Sequence, residues 1–503
     1  MTTDSFTRTF HKTKEYYLKK PVFNLLLLSF ILRIFYLTLS NPLWWDAYVY
    51  IGIGKFIYSH GKIGIWESFR PLVHPFILGT FWKLGLNPII IGKLLDLIFS
   101  LISIYLVYLI GKKIYNHQTG LIAAWLFSLA PLFIMFTGLI LTEPLAILLA
   151  LLGFYYWIDY TTNKKSTIKL FCAGLILGFS FLTKFPQGLF FGGIVLTMLI
   201  YKQKILSKLK NIIVLTGGFL LPIIPYLILN NHLYNSPFEP FTSGSWIVTT
   251  ATWLYGTGIT YYFTHFFLSS PLYLFFFVYL YLFIKEKWYH AESQMALIII
   301  TILTIAYFTY VPRKEIRYMV TILPLITLTI GTTLFYIYKK IQKNTKPIIR
   351  PNAFIIICSI LVVIHIPTAL YFDNSPTFEV EINTIINENR INGTILVSDP
   401  SFVSFLNNHI VLLSGMSFAQ AVYQSQKGQY ELLFVNDCDL ICPPENISCL
   451  NKKENILETF ASENKEVFTQ QHYFKSRKQT CTYYIYLPEN KENSSNTERI
   501  INT

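Results

Sequence analysis

The chain has 503 residues, of which 53% are hydrophobic and 14% are charged, and its formal net charge is +14. Soluble domains contain about 25% charged residues, so this composition excludes an ordinary soluble core and predicts a polytopic membrane protein. The basic residues lie in short loops between apolar runs and not on one face. This distribution argues against a nucleic-acid partner.

Apolar runs recur along the chain as far as about residue 371. A helix needs about 20 apolar residues to cross a bilayer, and fewer when flanking residues snorkel. The first run follows a basic leader without a small-residue cleavage site, so we expect it to be retained as a span. About eleven spans are predicted, at 22–39, 89–110, 121–137, 139–157, 168–182, 186–201, 211–229, 263–284, 295–310, 317–338 and 353–371.

The basic residues also predict the orientation of the chain. With the N-terminus in the cytoplasm, the inner segments contain 21 lysines and arginines and the outer loops contain 8. Positive charge favours the cytoplasmic side, so we expect a multi-pass cell-membrane protein with an extracytoplasmic C-terminal region. The predicted parts are a cytoplasmic segment 1–20, a membrane domain 21–371 with an outer loop 40–88, an extracytoplasmic domain 372–490 and a disordered tail 491–503.

The region 372–490 is more polar than the rest. Strand-like runs (TILVSD, HIVLLSG, ELLFVND and CTYYIYLP) alternate with helix-compatible stretches, which predicts a small α/β domain. Four of the six cysteines lie here, and in an oxidising compartment they would form two disulfides with three connectivities open. Their spacing argues against a zinc site. These cysteines are Cys438, Cys442, Cys449 and Cys481.

Ionisable residues cluster on the predicted outer side. They come from four separate loops, and such groups at the membrane surface are costly and are functional candidates; the alternative is that they are interfacial charges that snorkel to water. The set comprises Asp46, Glu67, Arg70, His74, Glu143, Lys184, Arg313, Lys314, Glu315 and Arg317.

A set of this kind suits a lipid-linked phosphate at the outer leaflet. Arginine and lysine would neutralise the headgroup, and a carboxylate could take a proton from an acceptor hydroxyl or amine. Asp46 fits the base because it follows the first span directly. The aromatic residues around it should partly exclude water and raise its pKa. These residues are Trp44, Trp45, Tyr48 and Tyr50.

Five stretches resemble, in their order, the GT-C superfamily of membrane glycosyltransferases. They are most similar to the branch that contains protein O-mannosyltransferases and the aminoarabinose transferases of lipid A. The resemblance covers about residues 20–340. The stretches are WWDAYVYIGIGKFIYSHGKIG, ESFRPLVHPFILGTFWKLG, LTEPLAILLALLGFYYW, AGLILGFSFLTKFPQGLF and KEIRYMVTILPLI.

The resemblance implies transfer of a sugar from a polyprenyl- or dolichyl-phosphate donor to a protein, lipid or glycan acceptor, with inversion at the anomeric carbon. It implies that Asp46 is the general base and that Arg70 and Arg317 contact the donor phosphate. Glu143 would orient the sugar or a cation, and His74 would line the pocket. The residues expected to bind substrate are Arg70, Arg317, Lys184, Glu143, His74, Tyr50 and Glu67.

One departure from the family bears on metal use. Many relatives have a second acid directly after the outer-loop aspartate, where this chain has Ala47. We therefore assign no metal ligand and expect no required cofactor; a divalent cation remains open, with Glu67 or His60 as a substitute ligand. Two other functions also remain open. One is an oligosaccharide transferase or ligase with a pyrophosphate donor, and the other is a lipid-linked sugar transporter or flippase, although no internal repeat is evident.

Overall fold

The computed structural model describes residues 21–39, 43–162, 166–201, 204–249, 252, 255–344, 378–413, 430–443, 445–474 and 478–488. The chain forms two compact units. The first, called the membrane unit, comprises Met1–Asn41, Ser68–His74 and Ile90–Tyr371. The second, called the tail unit, comprises Pro42–Glu67, Pro75–Ile89 and Phe372–Thr503, so most of the predicted outer loop groups with the C-terminal domain.

The first ten α-helices contain most of the apolar runs. The helix α2 belongs to the tail unit, and α3 and α4 each cross a unit boundary. They are α1 (Pro21–Leu37), α2 (Trp45–Tyr58), α3 (Val73–Lys83), α4 (Pro88–Ile114), α5 (His117–Leu129), α6 (Pro131–Met135), α7 (Thr142–Thr162), α8 (Thr167–Thr183), α9 (Gly188–Ile200) and α10 (Ile205–Tyr234).

Seven further helices complete the described part of the chain. Four short 3-10 helices, Phe185–Gln187, Phe267–Ser269, Trp288–His290 and Ile316–Thr321, connect elements of the membrane unit. The helices are α11 (Glu239–Thr249), α12 (Tyr261–His265), α13 (Phe275–Lys285), α14 (Glu292–Tyr310), α15 (Leu323–Asn344), α16 (Glu379–Asn389) and α17 (Ile447–Glu463).

Glycines allow α8 and α10 to pack with their backbones in close approach. A Cβ atom on Gly174 would lie 2.0 Å from the Leu215 carbonyl oxygen, and one on Gly218 would lie 2.2 Å from that of Phe171. Gly174 and Gly178 lie four residues apart on α8, and small residues at this spacing permit close approach between apolar helices, where van der Waals packing is the main attraction. Any larger side chain at either position would force the helices apart.

The number of spans is not confirmed. Four described helices are long and apolar enough to cross a membrane alone, and a pair bent by 113°, Tyr261–Ser269 and Pro271–Lys285, would make a fifth. The predicted span 121–137 is divided between α5 and α6, because Pro131 lacks the N–H that a continuous helix needs. The predicted segments 1–20, 353–371 and 491–503 lie outside the described residues.

The tail unit contains a five-stranded sheet with the strand order β2-β1-β3-β5-β4. The first three strands are parallel, and β5 pairs antiparallel with β3 and β4. Apolar side chains of the sheet pack against α17 through Ile456 and Phe460, and this packing forms the core of the unit. The strands are β1 (Ile395–Val397), β2 (Ile410–Leu412), β3 (Leu432–Asn436), β4 (Asn464–Phe474) and β5 (Gln479–Pro488).

The predicted α/β architecture of this region is confirmed, with one strand added. All four strand-like runs form strands, whereas β4 lies in a stretch that we expected to be compatible with a helix. Its sequence is NKEVFTQQHYF, and most of its side chains are exposed or half-buried. Because β4 is an edge strand, its side chains do not need the apolar pattern by which a strand is recognised. The four cysteines form the two disulfides Cys438–Cys481 and Cys442–Cys449.

Candidate functional site in the membrane unit

Glu143 and Lys184 form a buried ion pair at the ends of two adjacent helices. Glu143 lies in the first turn of α7, and Lys184 directly follows α8. The Lys184 Nζ lies 2.6 Å from Glu143 Oε1, and the two side chains are 15% and 4% exposed. Because α7 and α8 run antiparallel and pack together, the start of one helix lies beside the end of the other.

A second group of charges lies in the segment that follows α14. Glu315 accepts from the Arg313 Nε and also contacts the Arg317 Nε, each at 2.5 Å. The Tyr318 hydroxyl donates to Glu315 at 3.0 Å. The Lys184 Nζ lies 5.9 Å from the centre of the Tyr318 ring, and Arg317 interacts electrostatically with Glu143. The two groups are therefore neighbours, and together they form what we call the charged cluster: Glu143, Lys184, Arg313, Glu315 and Arg317.

The charged cluster has an excess of positive charge, since three cations face two carboxylates. Lys314 is a further cation in the same segment. Its ammonium group donates to the Phe308 carbonyl at 3.2 Å and to those of Thr309 and Val311, at the end of α14. Burial lowers the pKa of Lys314. Arginine and lysine side chains of this kind stabilise an anionic group by charge-assisted hydrogen bonds.

A strained turn leads into α7 and is held by a buried aspartate. Asp96, on α4, is fully buried, and its Oδ2 accepts from the backbone N–H groups of Gly138 at 3.2 Å and Ile140 at 2.7 Å. Ile140 has a φ of +56°, which is costly for a β-branched residue. Such strain persists where the surroundings over-determine the backbone. Asp96 therefore fixes the turn that ends three residues before Glu143.

His74 lies against the same turn. It is 1% exposed, and burial lowers its pKa to about 4, against smaller raising effects of the Ile140 backbone and the Glu143 carboxylate. The imidazole is therefore neutral at pH 7. A neutral histidine adds no positive charge to the cluster, and the role of His74 as a pocket-lining residue stays a prediction.

An apolar groove of about 840 Å³ lies between the bent segment 258–277 and α14. Its lining is mostly aromatic and aliphatic, and it reaches Lys314, the residue that lies between Arg313 and Glu315 in the sequence. An apolar chain could occupy the groove while an anionic end reaches the charged loop. The lining includes Phe263, Phe267, Phe276, Phe277, Ile302 and Lys314.

The remaining predicted residues are divided between the two units. Arg70 belongs to the membrane unit, where its guanidinium lies 4.9 Å from the centre of the Phe69 ring. Asp46, Tyr50 and Glu67 belong to the tail unit. Asp46 lies in the first turn of α2 and is half-buried, and Tyr50, one turn later, is 6% exposed.

One cluster in the tail unit has the composition of a metal site. Asp437, Cys438 and Cys481 bring potential ligand atoms close together. However, Cys438 and Cys481 are joined by a disulfide. A disulfide sulfur has no thiolate to offer, so this group does not fit a metal ion in its oxidised form.

Sequence reasoning missed two ionisable residues inside apolar helices. Asp96 is the only acid in α4, and Arg33 is fully buried in α1, where it donates to the carbonyls of Ser29 and Ser128. Charges within a predicted span are costly and mark candidate sites. A search for single charges inside apolar runs would have found both residues.

A family model described as dolichyl-phosphate-mannose-protein mannosyltransferase matches residues 69–229. No curated protein sequence matches the chain. The oligosaccharyltransferase of Archaeoglobus fulgidus in its apo form is similar in structure, with a TM-score of 0.58 and 10% identity over 96% of this chain and 76% of that chain.

Two other solved structures are similar to this chain. A mutant of the arabinofuranosyltransferase AftD from Mycobacteria has a TM-score of 0.54 and 12% identity, over 93% of this chain and 41% of that chain. ArnT from Cupriavidus metallidurans bound to undecaprenyl phosphate has a TM-score of 0.49 and 13% identity, over 73% of this chain and 72% of that chain.

The fold is similar to that of GT-C membrane glycosyltransferases, and the resemblance inferred from the sequence is confirmed. The segment that matches the mannosyltransferase family model contains Arg70, His74, Glu143 and Lys184. Asp46 and Arg317 lie outside the matched segment.

Proposed function

We propose that this chain is an integral membrane glycosyltransferase that transfers a sugar from a polyprenyl- or dolichyl-phosphate donor to an acceptor at the outer membrane face. The observation that carries the proposal is the apolar groove that reaches the loop of Arg313, Lys314 and Arg317. A prenyl chain needs an apolar path, and its phosphate needs cations at one end of that path.

The roles of the cations follow from their contacts. Arg317 and Arg70 would bind the donor phosphate, and Arg317 is already oriented by Glu315. Lys184 would add charge from α8, where its pairing with Glu143 limits its freedom. Glu143 would therefore position Lys184 as well as orient the sugar or a cation. Hydrogen-bond donors and cations that are already oriented stabilise a leaving group without having to reorganise during the reaction.

Asp46 is proposed as the general base. Its carboxylate would accept the proton of an acceptor hydroxyl, and the acceptor oxygen would attack the anomeric carbon from the face opposite the phosphate. The bond between that carbon and the phosphate oxygen would break, and the polyprenyl phosphate would leave with the electron pair. The new bond forms on the opposite face, so the reaction inverts the anomeric carbon. Tyr50 and Glu67 would contribute to binding of the substrates.

The proposed location is the cell membrane, with a cytoplasmic N-terminus and an extracytoplasmic tail unit. The excess of basic residues in the predicted inner segments supports this orientation. The two disulfides of the tail unit also support it, since disulfides persist in oxidising compartments. The proposal requires no metal; transfer that survives EDTA would agree with it, and transfer restored only by added Mg²⁺ or Mn²⁺ would contradict it.

The decisive experiment incubates the purified protein with radiolabelled polyprenyl-phosphate sugars and extracts of candidate acceptors. Asp46→Asn should bind donor and remain folded but lose transfer, because an amide cannot accept the proton. Glu388→Gln, which neutralises an exposed carboxylate of the tail unit, serves as the control and should keep full activity. Near-normal turnover of Asp46→Asn would show that Asp46 is not the base.

The same assay separates the two alternatives. Transfer of an oligosaccharide from a polyprenyl-pyrophosphate donor, without transfer from monophosphate donors, would indicate the oligosaccharide transferase or ligase. Movement of the headgroup across liposome membranes without bond cleavage would indicate a transporter. Ala47, which stands where a second acid would help to bind a metal, favours the monophosphate donor.

A further inference from the structure

Within the tail unit, one side of α2 packs against the C-terminal domain. Three residues spaced by four and three positions share this side of the helix: Tyr48, Gly52 and Lys55. A Cβ atom on Gly52 would lie 3.0 Å from the Val403 side chain. Burial, with a smaller electrostatic effect of the Asp399 carboxylate, raises the pKa of Tyr48 to about 12.

Lys55 makes the polar part of this contact. It is 3% exposed, and its Nζ donates to the carbonyl oxygens of Val403 at 2.6 Å and Leu406 at 3.2 Å. The Val403 carbonyl lies at the C-terminal end of the 3-10 helix Pro400–Ser404, where partial negative charge collects, and the Leu406 carbonyl lies two residues beyond that helix. Burial lowers the pKa of Lys55 to about 8, so the ammonium form persists at pH 7.

The segment after α2 extends the sheet of the C-terminal domain. The Gly64 N–H donates to the Asn408 carbonyl at 2.9 Å, and the Ile410 N–H donates to the Gly64 carbonyl at 2.8 Å, beside β2. Gly64 has a φ of +97°, and a Cβ atom there would lie 2.2 Å from the Gly52 carbonyl oxygen. Only glycine permits this approach. The outer-loop segment is thus attached to the domain by a lysine and by backbone hydrogen bonds.

Asp46 lies nine residues before Lys55 on the same helix. At 100° and 1.5 Å per residue, this places Asp46 roughly on the opposite side of α2 and about 13 Å along its axis. Lys55 therefore cannot reach the same substrate atom as Asp46. It can act on Asp46 only by holding the helix.

We propose that the C-terminal domain positions Asp46 for the transfer reaction, and that Lys55 is the positioning residue that joins α2 to this domain. The inference rests on the proposed function, in which Asp46 is the base. A base must be held closely in its productive geometry, and a displacement of about 1 Å can lower the rate about 100-fold. The tail unit would then be part of the catalytic apparatus and not a separate module.

The test uses the full-length protein in detergent and three variants. Lys55→Met keeps the length of the side chain but removes both hydrogen bonds, and Lys55→Arg keeps a buried cation. Lys62→Met, which changes an exposed lysine in the same loop, is the control. We would measure hydrogen exchange of residues 45–58 and of α8 in the membrane unit, together with kcat and the KM for the donor.

Lys55→Met should exchange at least tenfold faster over residues 45–58, with α8 unchanged. Its kcat should fall about 10- to 100-fold while the KM for the donor stays within about twofold of the wild-type value. Lys55→Arg should recover most of the loss, and Lys62→Met should match the wild type. A fall in kcat without a change in the KM for the donor distinguishes displacement of the base from loss of donor binding.

Two results would overturn the inference. One is a wild-type kcat for Lys55→Met, and the other is an equal loss of protection in both units, which would give Lys55 a general role in stability. If the wild-type protein transfers no sugar from any donor, the proposed function fails. The exchange data then still decide whether Lys55 holds α2: faster exchange confined to residues 45–58 supports the attachment, and unchanged exchange rejects it.

Discussion

Removal of the Lys184 charge tests whether the charged cluster depends on its buried ion pair. In Lys184→Met the Glu143 carboxylate would stay in place, 4% exposed, without the ammonium that lies 2.6 Å from one of its oxygens. Breaking a buried pair by removing one partner costs about 3–5 kcal/mol. We expect the lower end, about 3 kcal/mol, because Lys184 is 15% exposed and Arg317 still interacts with Glu143.

The double variant Lys184→Met/Glu143→Gln should be more stable than Lys184→Met, since it leaves no unpaired carboxylate. Removing both charges of a buried pair is often close to neutral. We therefore expect the double variant to lose about 1 kcal/mol relative to wild type, with a coupling energy of at least about 2 kcal/mol between the two positions. Glu143→Gln alone leaves a lysine that can turn towards solvent, and it should be the milder single change.

The assay is reversible unfolding in mixed micelles, with the free energy of unfolding measured for all four members of the cycle. Binding of a polyprenyl phosphate, measured in parallel, should weaken in both lysine variants because a cation is lost. If the effects of the two single substitutions add to that of the double variant within about 0.5 kcal/mol, the limit expected of independent sites, Glu143 and Lys184 do not stabilise each other.

Three further predictions concern stability. Asp96→Leu should lower the free energy of unfolding by about 3 kcal/mol, because two buried N–H groups lose their acceptor. Asp96→Asn keeps an acceptor oxygen and should lower it clearly less. Equal losses in the two variants would show that these two hydrogen bonds do not stabilise the turn. His74 has a folded pKa of about 4 against 6.5 in the unfolded chain, so the unfolded state binds more protons between these values. The free energy of unfolding should therefore fall by about 3 kcal/mol as the pH drops through this window. His74→Gln should flatten this part of the plot of stability against pH. An unchanged plot would show that His74 does not cause the pH dependence. Replacing Cys438 and Cys481 by serine removes a disulfide between residues 43 positions apart and should lower the free energy of unfolding by about 4 kcal/mol. Removing the disulfide Cys442–Cys449, whose residues are 7 positions apart, should lower it by about 2 kcal/mol. The opposite order in denaturant titrations would show that loop entropy does not control the effects of the two disulfides.

The sequence predicted the architecture where local pattern and burial agree. Apolar runs predicted a helical membrane protein because a bilayer requires long apolar segments with internally satisfied backbones. The strands β1 and β3 are buried on both faces, and β5 is buried at alternate positions over part of its length. Their apolar residues therefore form patterns that are recognisable in the sequence. The edge strand β4 was not recognisable, since exposure removes the apolar pattern. The number of spans stays a prediction, because helix breaks such as Pro131 divide apolar runs without changing their hydropathy.

The candidate site was predictable in its residue types but not in its pairings. Glu143, Lys184 and Arg317 stood out because each is a charge beside an apolar helix. Their contacts depend on how α7, α8 and the segment after α14 pack together, and the local sequence pattern does not predict this packing. The role of Asp96 likewise depends on a turn more than 40 residues away in the chain.

By itself, the sequence determined the class of protein, the membrane helices' composition, the small α/β domain and the charges from which a phosphate site could be built. Only the tertiary structure decided which charges are paired, which disulfides form and which unit contains Asp46. The physical reason is that hydrophobicity and backbone propensity act over a few residues and leave a record in local pattern. Ion pairs, strained turns and buried lysines such as Lys55 depend on distant segments that come together only in the folded chain.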